Sequence, residues 1–283
     1  MQSIDITQNK PINILVTLDE NYIPYLNVML STLVHFNPGC TFDVYLLHSS
    51  IRQEMLKSTQ NILQGTGRLI PIKVNDLLLA EAPTSSRYPK EIYYRIFAAR
   101  YLPKTVDRIL YLDPDLVLNG SILPLYRFPL EEHYYAAASH IDSLGLLHKF
   151  NELRLDMDDS SPYINSGVLL MNLSLLRKEQ NYADVFHFIE KRKNLLMLPD
   201  QDIISGLYGS KIYTLDPLLY NMTERLYLIY GQFEKNLNLD WVRTHSIVIH
   251  YCGRNKPWKE NYIGNLDVFY KEAVARMHAD KEA

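Results

Sequence analysis

Short apolar runs alternate with amphipathic stretches through the first quarter of the chain. Ile12 to Leu18 (INILVTL) is apolar enough for a strand buried on both faces. Asp19 to Asn21 breaks it. From Tyr22 to Phe36 the residues Leu26, Met29, Leu30 and Leu33 fall at helical spacing, and Asn37-Pro38-Gly39 ends that helix, since proline cannot continue it and glycine suits its exit. Phe42 to Leu47 predicts a second strand, Ile51 to Leu63 a second helix and Leu69 to Val74 a third strand. This alternation predicts an α/β fold, a mostly parallel sheet flanked by helices, of the Rossmann-like nucleotide-binding type.

Further along, Pro83 to Pro89 reads as a loop and Ile92 to Tyr101 as a helix. Arg108 to Leu112 (RILYL), Tyr135 to Ser139 and Val168 to Asn172 read as strands, and Ile247 to Tyr251 (IVIHY) as a late one. Leu175 to Leu195 is helical with a break near Asn181, and Asp200 to Tyr208 forms a short helix. The charged stretch from Leu144 to Ser161 reads as an inserted loop or lid. No repeat or linker divides the chain, so residues 1–283 form one domain.

Composition removes several function classes. Hydrophobic residues make up 47% and charged residues 22% of the 283, the mixture of a folded globular protein. A formal net charge of −3 offers no global field for nucleic acid. The two cysteines, Cys40 and Cys252, make no disulfide or zinc framework and fit a reducing compartment. The expected location is cytoplasmic: no signal peptide is evident and no apolar run suffices for a transmembrane segment. Peripheral membrane contact stays open, although the tail from Asn265 to Ala283 mixes both signs of charge.

Two motifs carry chemistry. In ILYLDPDLVL a buried strand delivers Asp113 and Asp115, with Pro114 expected to hold the pair extended and on one side. Adjacent carboxylates repel, and a cation between them or a shared proton relieves that. Hard oxygens suit Mg²⁺ or Mn²⁺. The plain alternative is a strand ending in an Asp-Pro turn. In IVIHYCGRNKPWK, His250 closes a strand, Gly253 permits close backbone approach, and Lys256 brings an ammonium to a loop able to cradle phosphate. His250 is either a structural residue or a third ligand, and one imidazole among oxygens tilts the metal toward Mn²⁺. Such a metal would bridge the phosphates of a nucleoside diphosphate.

The sequence resembles glycosyltransferase family 8, whose members include bacterial lipooligosaccharide galactosyltransferases, glycogenin and general stress protein A. The resemblance runs from about Asn13 to Trp258. Five motifs in order carry it: LVTLDENYIPYL, YYRIFAARYLP, ILYLDPDLVL, YINSGVLLMNL with LPDQDIISGL, and HYCGRNKPW. It implies a GT-A type fold, with a nucleotide- and metal-binding half over 12–120, a donor-sugar and acceptor half over 121–262, and a C-terminal helix over 263–283.

The same resemblance implies the site. Thr17, Asp19, Asn21 and Tyr22 match a nucleoside pocket, with Asp19 accepting from a uracil imide and Tyr22 stacking on the base. Asp113, Pro114 and Asp115 match the metal-binding motif, His250 the third ligand, and Gly253 and Lys256 the diphosphate loop. Arg95 approaches the donor, Asn165 and Ser166 contact its sugar, and Asp142 is a carboxylate near that sugar. Asp200 holds sugar hydroxyls and Gln201 faces the anomeric carbon. Taken singly, each has a structural alternative: Asp19 and Asn21 a helix-capping turn, Arg95 an ion pair with Glu91 at i,i+4, Asn165 a strand-start cap, Asp200 an N-cap.

The implied activity is retaining transfer of a hexose from UDP-glucose or UDP-galactose to a glycan acceptor, with Mn²⁺, or Mg²⁺, as cofactor. Gln201 is a poor nucleophile, so front-face transfer through an oxocarbenium-like ion pair is favoured over double displacement. Two alternatives remain: a non-catalytic nucleotide-sugar-binding stress protein, and a haloacid dehalogenase-like phosphatase reading of LDPDLVL.

Overall fold

Seven strands form the central sheet: β1 (Ile12–Thr17), β2 (Phe42–His48), β3 (Gly67–Lys73), β4 (Arg108–Leu112), β6 (Tyr135–Ser139), β7 (Ile164–Asn172) and β8 (Ile212–Leu215). A separate two-stranded ribbon pairs β5 (Leu116–Leu118) with β9 (Val248–His250). The computed structural model describes residues 10–75, 79, 82, 84, 89–139, 146–234 and 236–282. Strand order in the large sheet is β3-β2-β1-β4-β7-β6-β8. The first four of these run parallel, β6 and β8 run parallel to each other, and β7 runs against both β4 and β6. The sheet is therefore mixed but mostly parallel, as a GT-A-like fold requires.

The continuous apolar strands are explained by two covered faces. In β1, Ile12, Ile14 and Val16 enter one hydrophobic cluster while Leu15 enters the other. In β4, Ile109 and Tyr111 face one side and Leu110 and Leu112 the other. The helix Ile23–His35 buries Leu26, Met29, Leu30 and Leu33, the residues that its periodicity marks.

Several elements differ from the expectation. The helix expected over 92–101 is two short turns, Glu91–Tyr94 and Ala98–Tyr101, between which Arg95, Ile96 and Phe97 are buried. β7 begins at Ile164 rather than Val168, so Asn165, Ser166 and Gly167 are strand residues. Within the expected lid lies a ten-residue helix, Leu146–Leu155, and its Arg154 anchors it to the body through Asp202. The terminal helix is Asp267–Glu282. Among the described residues no helix is long and apolar enough to cross a membrane.

Candidate active site

The reversed direction of β7 builds the site. Parallel strands β1 and β4 bring their carboxyl ends to one edge of the sheet, and antiparallel β7 brings its start to that same edge. Leu112 pairs with Val168, and the next residue, Asp113, donates its N–H to the Gly167 carbonyl at 2.8 Å. The edge bounds a cleft of about 290 Å³. Thr17, Asp19, Tyr22, Arg95, Asp113, Pro114, Asp115, Asn165, Ser166, Asp200, Gln201, His250, Gly253 and Lys256 all line it. Asn21 is exposed and instead gives its N–H to Asp19 Oδ1 at 2.8 Å, the capping arrangement of a short 3-10 turn. Asp142 lies outside the described residues.

Asp113 and Asp115 do meet, but not by extension. Pro114 and Asp115 lie in a turn that carries the chain from β4 into β5. The β5–β9 ribbon then sets Leu116 opposite His250, and the Tyr251 N–H donates to the Asp115 carbonyl at 3.0 Å. His250 Nε2 lies 3.2 Å from Asp115 Oδ1 and 3.6 Å from Asp113 Oδ2. Its Nδ1 is held 2.8 Å from Asn221 Oδ1, an orienting contact from outside the motif. One ligand atom from each of Asp113, Asp115 and His250 falls within 4.8 Å of the others.

This donor set fits a divalent cation. Two carboxylates and a buried imidazole converge, and the space beside them exists because residue 167 is glycine. A Cβ there would stand 2.3 Å from His250 Cε1 and 2.8 Å from Asp113 Oδ2. Electrostatics agree. Burial raises the Asp113 carboxyl above its ordinary range, with Arg95 opposing and Asp115 adding to the rise. Burial also acts against ionised Asp115, but Lys256 and His250 outweigh it and hold that carboxyl below the usual range. Lys256 donates to Asp115 and, at 2.8 Å, to the Tyr251 carbonyl. Burial disfavours its ammonium, yet Asp115 raises its pKa overall.

Arg95 is the hub of the sugar side. It is 5% exposed and forms ion pairs with Asp113 at 3.0 Å and Asp200 at 2.9 Å, not the i,i+4 pair with Glu91. Its guanidinium lies 4.2 Å from the centre of the Tyr111 ring and donates to the Ser166 carbonyl at 3.1 Å. Ser166 Oγ donates to Asp200 at 2.6 Å, and Asn165 Nδ2 reaches Gln201 Oε1 at 3.3 Å. Asp200 and Gln201 open the helix Pro199–Tyr208, but Asp200 is not its cap. Asp202 takes that part: its Oδ2 accepts the N–H of Met197 at 2.7 Å and of Leu198 at 3.1 Å. Asp202 also pairs with Arg154 and accepts from Tyr163 at 2.7 Å, so its carboxylate is fully occupied away from the cleft.

Gly253 adopts φ +85, and no protein atom lies within 4 Å of where its Cβ would sit. Glycine is needed there for the left-handed backbone and not for close approach by the protein itself. Trp258 fixes the far end of this loop by stacking on Tyr25 at 3.7 Å. Sequence reasoning missed three contributors. Tyr111 donates to Asp113, and its signal was the two-residue strand period that puts both on one face. Glu91 lines the cleft and accepts from Ser49. Asn221 had no signal, being 29 residues from the histidine it orients.

A family model described as Glycosyl transferase family 8 matches residues 13–262. The chain is 26% identical to a lipopolysaccharide 1,2-glucosyltransferase from Escherichia coli, over 99% of this chain and 86% of that protein. It is 24% identical to general stress protein A of Bacillus subtilis, covering 86% of each. Its fold is similar to that of the galactosyltransferase LgtC, solved with donor and acceptor sugar analogs, at a TM-score of 0.79 and 24% identity over 94% of this chain and 96% of that one.

Proposed function

The chain belongs to glycosyltransferase family 8, and on that footing we propose that it is a metal-dependent retaining hexosyltransferase. It moves glucose or galactose from a UDP-sugar to a glycan acceptor in the cytoplasm. One observation carries the reading: the Asp113, Asp115 and His250 cluster shares a single cleft with the polar group of Asn165, Ser166, Asp200 and Gln201. A site for a cation and a diphosphate thus adjoins a site for sugar hydroxyls.

Each residue has a physical part. Asp19 and Tyr22 receive the uracil, through a carboxylate acceptor and a half-buried ring. Asp113, Asp115 and His250 would hold Mn²⁺, or Mg²⁺, and such an ion would supply positive charge beside the departing diphosphate. Lys256 and the left-handed turn at Gly253 bind the phosphates. Arg95 pairs with both Asp113 and Asp200 and holds them in place. Asp200, Asn165 and Ser166 hold the sugar hydroxyls, and Gln201 turns its amide toward the anomeric carbon. Asp202 cannot act as a nucleophile, because its oxygens are committed to Arg154, Tyr163 and two backbone N–H groups. Retention proceeds on the front face: the bond from the anomeric carbon to the diphosphate oxygen breaks, positive charge develops on the sugar, the acceptor oxygen bonds to that carbon on the same face, and the leaving diphosphate takes the acceptor hydroxyl proton.

The test is turnover of labelled UDP-glucose and UDP-galactose with Mn²⁺, read as sugar release or transfer. Release well above that of the Asp115→Asn protein supports the proposal. Equal release by both proteins contradicts it, and binding without turnover would mark a nucleotide-sugar binder.

A further inference from the structure

A second pocket adjoins the first, and its charges are not accounted for by donor binding. It measures about 810 Å³ and lies between the helix Glu224–Phe233 and the loop that follows β9. His250 and Cys252 line both pockets, so the second lies directly beside the first. Three of its lining side chains are the cations Arg225, Arg254 and Lys259. Among the described residues none of the three forms an ion pair or a side-chain hydrogen bond.

The carboxylate in this lining, Glu224, does not answer them. Its Oε2 accepts from Tyr262 at 2.7 Å and from the Leu266 N–H at 3.0 Å, and its Oε1 accepts from the Asn265 N–H at 2.9 Å. Gly264 presses against this carboxylate, since a Cβ there would stand 2.2 Å from Glu224 Cδ. Glu224 is thus spent on holding the loop. A chain of net charge −3 thus gathers three exposed cations without ion-pair partners in the lining of one pocket. The aliphatic side chains of Leu228 and Ile263, 52% and 80% exposed, complete the rim.

We propose that this pocket takes the acceptor, and that the acceptor is an anionic glycan bearing a phosphate or carboxylate group near the hydroxyl that receives the sugar. The proposal rests on the hexosyltransferase reading above. Arg225, Arg254 and Lys259 bind the anionic group, the arginines by forked hydrogen bonds and the lysine as a point charge. The C–H faces of the sugar ring lie on Leu228 and Ile263. The hydroxyl end points past Cys252 toward His250 and the donor cleft.

The experiment uses the full chain saturated with UDP and Mn²⁺, so that the donor phosphate sites are filled. Glucose and glucose 6-phosphate are titrated in as the probe pair. Glucose 6-phosphate is expected to bind more tightly by roughly 60-fold, an advantage that falls with salt and shrinks by about fourfold for each of Arg225→Ser, Arg254→Ser and Lys259→Ser. The triple variant should bind both sugars alike while keeping its UDP affinity and melting temperature. Equal binding of the two sugars by the native chain overturns the proposal, as does an advantage that survives in the triple variant. So does charge-dependent binding to phosphatidylglycerol vesicles that glucose 6-phosphate does not displace, because the patch would then be a bilayer contact. Loss of UDP binding by the native chain would instead count against the donor reading.

Discussion

Gly167→Ala is the substitution that most sharply separates the cluster from the fold around it. The new Cβ would stand 2.3 Å from His250 Cε1, 2.8 Å from Asp113 Oδ2 and 2.9 Å from His250 Nδ1. Carbon contacts are comfortable near 3.5 Å, so the imidazole must retreat by about 1 Å or β7 must bow outward. Retreat is resisted: His250 is 2% exposed, its Nδ1 is held by Asn221, and its backbone N–H donates to the Met222 carbonyl at 2.8 Å. Bowing is resisted as well, because the Gly167 carbonyl accepts the Asp113 N–H and Val168 pairs with Leu112. Overpacking at a site fixed on both sides costs about 1–3 kcal/mol of stability. The larger effect falls on the metal set, whose geometry depends on both side chains that the methyl strikes. Gly65→Ala supplies the control: φ there is +78 and nothing lies within 4 Å, so it carries backbone strain of about 1–2 kcal/mol and no steric blow. Chemical denaturation and Mn²⁺ titration by electron paramagnetic resonance should therefore give similar stability losses for the two variants. Mn²⁺ affinity should fall at least about tenfold in Gly167→Ala alone. Native Mn²⁺ affinity in Gly167→Ala would refute the claim that the absent side chain creates the site.

Asp202→Asn breaks a buried pair with Arg154 and should cost about 3–5 kcal/mol in denaturation, while the folded fraction still turns over donor; normal stability with abolished turnover would make Asp202 catalytic after all. Gln201→Ala should lower kcat by roughly a hundredfold with UDP affinity nearly unchanged, and a matching loss of UDP binding would displace Gln201 from its part beside the anomeric carbon. For pH, Asp115 has a carboxyl held below its unfolded value by Lys256 and His250, so its stabilising contribution is complete above pH about 4 and is lost as pH falls below that. In Lys256→Gln the folded carboxyl lies less far below its unfolded value, so the acid loss of stability, followed by tryptophan fluorescence without metal, should shrink; an undiminished loss would mean the ammonium does not set this carboxyl.

Where both faces of the sheet are covered, the sequence was transparent. β4 and β6 matched their apolar runs to the residue, because every side chain in them is buried or nearly so. The apolar run marks β7 four residues short for the opposite reason. Asn165 and Ser166 are polar yet 5% and 3% exposed, and they satisfy one another's neighbours through Gln201, Asp200 and Gly167. Periodicity cannot see a strand whose inward groups are chosen for chemistry. The break in the helix at Arg95 leaves no mark in the sequence, since Arg95, Ile96 and Phe97 include neither glycine nor proline; only the fold shows the guanidinium paired with both Asp113 and Asp200. Motif residues were legible as a set because short loops at one sheet edge hold them. Asn221 was not, since only the fold brings residue 221 beneath His250.

UDP affinity with and without Mn²⁺, measured by calorimetry on the native chain and on Asp115→Asn, addresses the metal cluster most directly. The expected result is a gain of about a hundredfold or more from Mn²⁺ in the native chain and none in the variant. Equal UDP affinity in metal-free buffer, or an undiminished Mn²⁺ effect in Asp115→Asn, would contradict a divalent ion held by Asp113, Asp115 and His250.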